Sequence, residues 1–316
     1  MKHLLIQLLL SMVAAVGTST VTYAEGHSAA CSGIAPAHLA YADSVFSAFG
    51  EGAPASLIQN SDATIEAMVP SALLGLGVGN ASWNPMHPKW NELALVVRKD
   101  LTRIFREATA ALNTTITLAA VRCSYAKVVS ADDLKALVEY FKSDTGKRHL
   151  AFGYDLQKAV AVAMSNAALA RHGSPPTSSK THSTPTPALI QARLDVIQSS
   201  LVVGTLQSMG NAIKRNGGET SAYALMGYIY ADVVQQSGEP FDELGSKYSS
   251  DLKSFRSFVQ SEPMQKHGEG MVAIAALPAY AVAQAEYIGI LSREGTKSEL
   301  EWKRIFQENV AAVSNK

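Results

Sequence analysis

The sequence predicts an all-α protein of two tandem helical-bundle domains related by a degenerate internal repeat. Three observations predict it. Apolar residues recur at helical spacing in both halves, and no alternating strand pattern or Asn-Gly hairpin signal appears. The peptide DLKALVEYFKSDTGKRH (133–149) is echoed 118 positions later as DLKSFRSFVQSEPMQKH (251–267). Asp133/Asp251, Leu134/Leu252, Lys135/Lys253, Ser143/Ser261 and His149/His267 are identical, and Tyr140/Phe258, Asp144/Glu262 and Arg148/Lys266 are chemically close. Upstream, Tyr125-Ala126-x-Val128-Val129 is mirrored by Tyr230-Ala231-x-Val233-Val234.

Residues 1–24 read as a secretory signal peptide. Lys2 supplies the positive start, Leu4 to Val16 the apolar run, and Thr22-Tyr23-Ala24 the small residue at the cut. A retained membrane anchor wants about 20 apolar residues, and Thr18, Ser19 and Thr20 interrupt this run first. The expected location is the periplasm. Cleavage leaves 26 basic residues against 27 acidic ones, a net charge of −1. Nucleic-acid binding rests on neutralising phosphates, so this balance argues against it.

Cys31 and Cys123 are the two cysteines, an even count that permits one disulfide in an exported chain. The alternative is two unrelated thiols; their placement in the same half favours the bond.

Next comes Trp83-Asn84-Pro85-Met86-His87-Pro88-Lys89-Trp90, two indoles in a loop stiffened by two prolines. Trp83, His87 and Trp90 form the candidate contact surface, because Trp is favoured at binding hot spots. The competing reading is a helix lead-in that packs its aromatics onto the core. Asn91 to Glu107 follows as an amphipathic helix, with Leu93, Val96, Val97, Leu101, Ile104 and Phe105 on one side.

In the first echo Leu134, Leu137, Val138 and Phe141 fall at i, i+3, i+4 and i+7, and Ser130 with Asp133 approximates a capping box. Ser143 and Ser261 read as N-caps of a following helix, with Asp144 and Glu262 at its positive end. Each echo thus encodes a helix, a sharp restart and another helix.

Gly173 to Pro187 is GSPPTSSKTHSTPTP, in which twelve of fifteen residues are Ser, Thr or Pro. Such a run has little apolar surface to offset ordering. It makes residues 172–187 a linker between domains 25–171 and 188–316. Ala188 to Arg215, Glu219 to Gln236 and Thr296 to Val313 give further helical windows. Met271 to Leu291 is long enough to span a membrane, but Gln284, Glu286 and Pro278 are costly there. It reads as a buried helix kinked at Pro278, leaving no stable transmembrane span in the mature chain.

At Tyr125-Ala126, Leu134-Lys135-Ala136-Leu137, Tyr140-Phe141-Lys142-Ser143 and Gly146-Lys147, residues 85–165 resemble domain-of-unknown-function family 2059, an uncharacterised periplasmic family. The order Tyr140-Phe141 is swapped relative to that family, and Asp144 stands for its usual proline. The second half is a more distant copy, with Met264 where Gly is expected. The resemblance implies an exported, all-helical domain and supplies no catalytic residues.

Chemistry is sparse. His27, His38, His87, His149, His172, His182 and His267 show no i, i+4 pair, and no His-Glu-x-x-His or Cys-x-x-Cys occurs. No nucleophile elbow, phosphate loop or dinucleotide fingerprint is present. The sequence therefore assigns no catalytic, cofactor-binding or metal residue. His149 and His267 read as helix-surface or capping histidines, with a shared ligand role only if the halves face each other. The expected function is a non-catalytic binding or interaction module of the cell envelope. Its partner is an unknown envelope protein or an apolar small molecule; an enzyme with an unrecognised site is the further alternative.

Overall fold

A computed structural model describes residues 31–48, 61–77, 80, 82–115, 118–171, 185–217 and 238–311. The signal segment, most of the Ser/Thr/Pro linker and the window 219–236 lie outside the described residues. Among the described residues the fold is all-helical, twelve α-helices with no strand.

In chain order they are α1 (Pro36–Ala48), α2 (Ser61–Leu76), α3 (Trp90–Thr115), α4 (Leu118–Val128), α5 (Ala131–Lys142) and α6 (Asp144–Arg171). Then follow α7 (Pro187–Gln198), α8 (Leu201–Arg215), α9 (Glu239–Lys247), α10 (Leu252–Val259), α11 (Glu262–Ala275) and α12 (Pro278–Phe306). A π-helical turn, Gln307–Ala311, extends α12.

The cap expected at Ser130 is present: its Oγ accepts from the Asp133 N–H at 3.1 Å and donates to the Asp133 carboxylate at 2.6 Å. α5 then buries Leu134, Leu137, Val138 and Phe141, the predicted stripe. Both restart serines are extended, Ser143 at φ −68°, ψ 158–159° in kind with Ser261 at φ −68°, ψ 158°. Their hydroxyls differ. Ser143 Oγ donates to the Tyr140 carbonyl and accepts from Gly146 N–H, whereas Ser261 Oγ is buried with no partner among the described residues.

Two predicted windows are interrupted. Ala188 to Arg215 breaks at Ser199–Ser200 into α7 and α8, with Ser200 extended at φ −78°, ψ 137°. Met271 to Leu291 breaks at Ala276–Leu277, where the chain bends by 77° because Pro278 opens α12. Among the described residues no single helix is long and apolar enough to cross a membrane.

Each half was expected to own its core. The apolar clusters divide the helices differently. α1, α4 and α5 share the largest cluster with α11 and the start of α12, through Tyr125, Leu134, Leu137, Met264, Met271 and Tyr287. α6, from the first half, packs Phe152, Leu156 and Ala159 among Val196, Phe241 and Phe255 of α7, α9 and α10. The last helix of each echo therefore lies between the halves: α6 packs on α2 of its own half and on α9, and α11 packs on α8 of its own half and on α4. A third cluster joins α2 and α3 to the end of α12 through Trp83, Trp90, Trp302 and Phe306. There α12 runs antiparallel to α3: Trp302 Nε1 donates to Asp100 at 2.8 Å, and Glu294, two turns earlier, meets Arg103.

Close approach at α11 depends on glycine. A Cβ on Gly268 would stand 2.6 Å from the Ser208 carbonyl carbon and 2.7 Å from Met209 N, both backbone atoms of α8. A Cβ on Gly270 would enter the Tyr125 ring on α4. By contrast, nothing lies within 4 Å of the Cβ position at Gly153 on α6.

Cys31 and Cys123 stand at disulfide-bonding distance, with Cα atoms 5.0 Å apart, which joins the segment before α1 to α4. Two outcomes follow from this packing. In urea unfolding, Gly268→Ala lowers stability by about 1–3 kcal/mol through overpacking, and Gly153→Ala raises it by about 0.5–1 kcal/mol; the opposite ordering would refute the close approach. Cys123→Ser costs about 2–5 kcal/mol, read as a lower midpoint against the oxidised parent; an unchanged midpoint would show that the pair bears no strain-free crosslink.

Candidate functional site

The candidate contact loop is built from both ends inward. Trp83 is 5% exposed and Trp90 is 7% exposed, so both indoles lie in the interior. Trp83 Nε1 donates to the Leu73 carbonyl at 2.6 Å, and its ring contacts Trp90 at 5.1 Å and the edge of Phe306 at 4.9 Å. The indole also fills the space where a Cβ on Gly77 would sit. These two residues are therefore corrected from a contact surface to anchors. Apolar burial of each indole outweighs display, because they dominate local core energetics. His87 is half-buried beside Trp83, with ring centroids 5.0 Å apart, and its Nδ1 accepts from the Lys89 N–H.

What the anchors hold out is Met86, 90% exposed. Side chains lock its turn: Asn84 Oδ1 accepts from the Met86 N–H at 2.9 Å, and Asn80 Oδ1 accepts from Ser82 N–H and Oγ–H. Below it, between α3 and the π-helical turn, lies an open depression of about 280 Å³ lined by Lys89, Glu92, Val96, Ile305 and Val310. Sequence reasoning ranked the loop by its tryptophans and passed over Met86; the Asn-x-Met turn was the signal available.

The two echoed histidines are also relocated. Both were expected at the surface or on a cap; His149 is 0% and His267 3% exposed. On α6, His149 Nε2 faces the Ser199 carbonyl at 2.7 Å, so this nitrogen must donate. Neutral His149 then accepts at Nδ1 from the Tyr140 hydroxyl, 2.8 Å away. Its ring lies flat on Phe255, with centroids 4.2 Å apart and planes 3° from parallel. The break between α7 and α8 frees the Ser199 carbonyl for this bond.

On α11, His267 Nδ1 lies 2.6 Å from the Tyr125 hydroxyl on α4. Between the two sites Tyr140 and Phe258, the paired residues of the echoes, stack with centroids 3.3 Å apart. Arg148 of the first echo grips Asp251 of the second.

Burial sets the electrostatics. Desolvation pulls His149 down to about 4, the Ser199 bond opposing it, and desolvation alone pulls His267 down to about 4. Stacking on Phe255 offers an imidazolium about 0.5–2 kcal/mol, less than the several kcal/mol lost by burying an ion. Burial wins, and both imidazoles are neutral near pH 7. The same desolvation raises the Tyr125 and Tyr140 phenols far above their ordinary range. These pairs hold fixed hydrogen bonds inside a packed core and expose no imidazole to substrate. Among the described residues no three His, Cys, Asp or Glu side chains gather to hold a metal ion.

No family model, curated protein or solved structure matches this chain.

Trp83→Ala lowers stability by about 3–5 kcal/mol in urea unfolding, whereas Met86→Ala stays within about 0.5 kcal/mol of the parent. Equal effects at the two positions would remove the distinction between anchor and displayed tip.

Proposed function

We propose that this protein is an exported, non-catalytic interaction module of the cell envelope, and that its 82–90 loop offers Met86 to a protein partner. One observation carries the reading: an unbranched apolar side chain, 90% exposed, is held out by a turn whose flanking tryptophans are buried. Fixing the loop beforehand reduces the ordering cost of association, and a thioether chain adapts to irregular apolar pockets.

Periplasmic location belongs to the same reading. A cysteine pair at bonding distance fits an oxidising compartment. The signal-like segment at 1–24 and the resemblance to domain-of-unknown-function family 2059 point the same way.

Internal duplication also belongs here. In its support, Ser143 and Ser261 share one backbone conformation, α4 packs on α11 as α9 packs on α6, and α2 packs on α6 as α8 packs on α11. Paired residues Tyr140 and Phe258 meet face to face, as they would on a local two-fold axis.

A photocrosslinking residue at position 86 of the full-length protein, activated in the producing cells, tests the loop. The expected result is a discrete protein adduct that is missing when the probe replaces Tyr154, an exposed residue on α6. Equal labelling from both positions, or none from position 86, contradicts the assignment. A small molecule retained in native mass spectrometry would favour the carrier alternative.

A further inference from the structure

The crossing of the two halves carries a feature independent of any partner. Each of these shared helices presents one buried imidazole to the other half. His149, on α6, donates to Ser199 and lies flat on Phe255, both beyond the linker. His267, on α11, bonds the Tyr125 hydroxyl of α4. We infer that this crossing is an acid-sensitive latch, closed while His149 and His267 are uncharged and released when they take up protons.

Among the described residues, the charged groups on the elements packed around them pair mostly with one another. Around His149, α5 brings the Tyr140 phenol, and Asp251, just ahead of α10, is engaged by Arg148. At the end of α9, Lys247 and Tyr248 both bond Asp155 of α6. α7 carries Asp195, bonded to Arg256 of α10, and Arg193, bonded to Asp242 of α9. α2 carries Glu66, bonded to Arg98. Around His267, α4 brings Tyr125, Lys127 and Arg122, the last bonded to Asp43. α5 brings Asp133, tied to Ser130, and α8 brings Lys214 and Arg215, the latter bonded to Glu269, which also takes Lys266. α12 adds Tyr280, Tyr287 and Glu286. The carboxylates in these sets are mostly committed to other cations or caps.

The sign follows from proton linkage. In the closed form both imidazoles sit near 4, below the ordinary value of 6.5 that they regain once exposed to water. The open form therefore binds more protons, and acid favours it. The latch is at full strength above about pH 6.5 and weakens as pH falls toward about 4.

The test is a titration of the full-length, oxidised protein from pH 7.5 to 4, following near-ultraviolet and far-ultraviolet circular dichroism with small-angle scattering. The expected result is loss of the tyrosine near-ultraviolet signal and an increase in radius between about pH 6.5 and 4, with helical signal retained. The double variant His149→Gln, His267→Gln shifts that transition below pH 4. Retention of the wild-type near-ultraviolet signal and radius down to pH 4 overturns the latch, as does an unshifted transition in a folded double variant. Imidazole resonances of the wild-type protein decide the matter without variants. They titrate together with the opening if the latch exists, and stay neutral down to about pH 4 in a still-closed protein if it does not.

Discussion

The sharing of α6 and α11 between helices on both sides of residues 172–187 is the constraint from which the remaining structure follows. Each helix starts after a serine whose ψ, 159° at Ser143 and 158° at Ser261, is too extended to continue the preceding helix. Each then packs between a helix of its own half, α2 or α8, and apolar residues of the other half. Because a helix interior offers its backbone no free hydrogen bonds, the crossing is secured by side chains. The bonds that cross bury large rings and still satisfy their polar atoms: His149 with the Ser199 carbonyl, and Tyr125 with His267.

That requirement explains local details that otherwise look unrelated. α7 and α8 are separate helices because a carbonyl at Ser199 must turn toward His149, and a continuous helix would spend it internally. α11 carries Gly268 and Gly270 because its neighbours approach to backbone distance. α12 begins with a 77° bend, which sends it from the crossing to lie along α3. There it closes the aromatic cluster that anchors the 82–90 loop. The site and the crossing are thus linked through one helix.

Much of this was legible in the sequence, and the illegible part has a physical pattern. The helical class, the Ser130 cap, the stripe on α5 and the break near Pro278 are local, since spacing and capping chemistry act within a few residues. The loop was found by its tryptophans, but display by Trp83 and Trp90 was the wrong half of the choice, because only tertiary packing reveals which aromatic has a cavity waiting. The echoed histidines were noticed and then placed on the surface. His149 is buried against Phe255 and Ser199 and His267 against Tyr125, residues about 50 to 142 positions away, and no local period reports such contacts. The sharing of α6 and α11 between the halves was not legible for the same reason: an amphipathic stripe says that a helix is buried, and says nothing about whose helices bury it.

The central claim is that residues on either side of the linker share one cooperative interior. Hydrogen exchange followed through urea unfolding measures this most directly, comparing amides of α5 with those of α10. A shared interior predicts that both sets lose protection at the same urea concentration, in a single transition. Two transitions, one confined to residues before the linker and one to those after it, would contradict it.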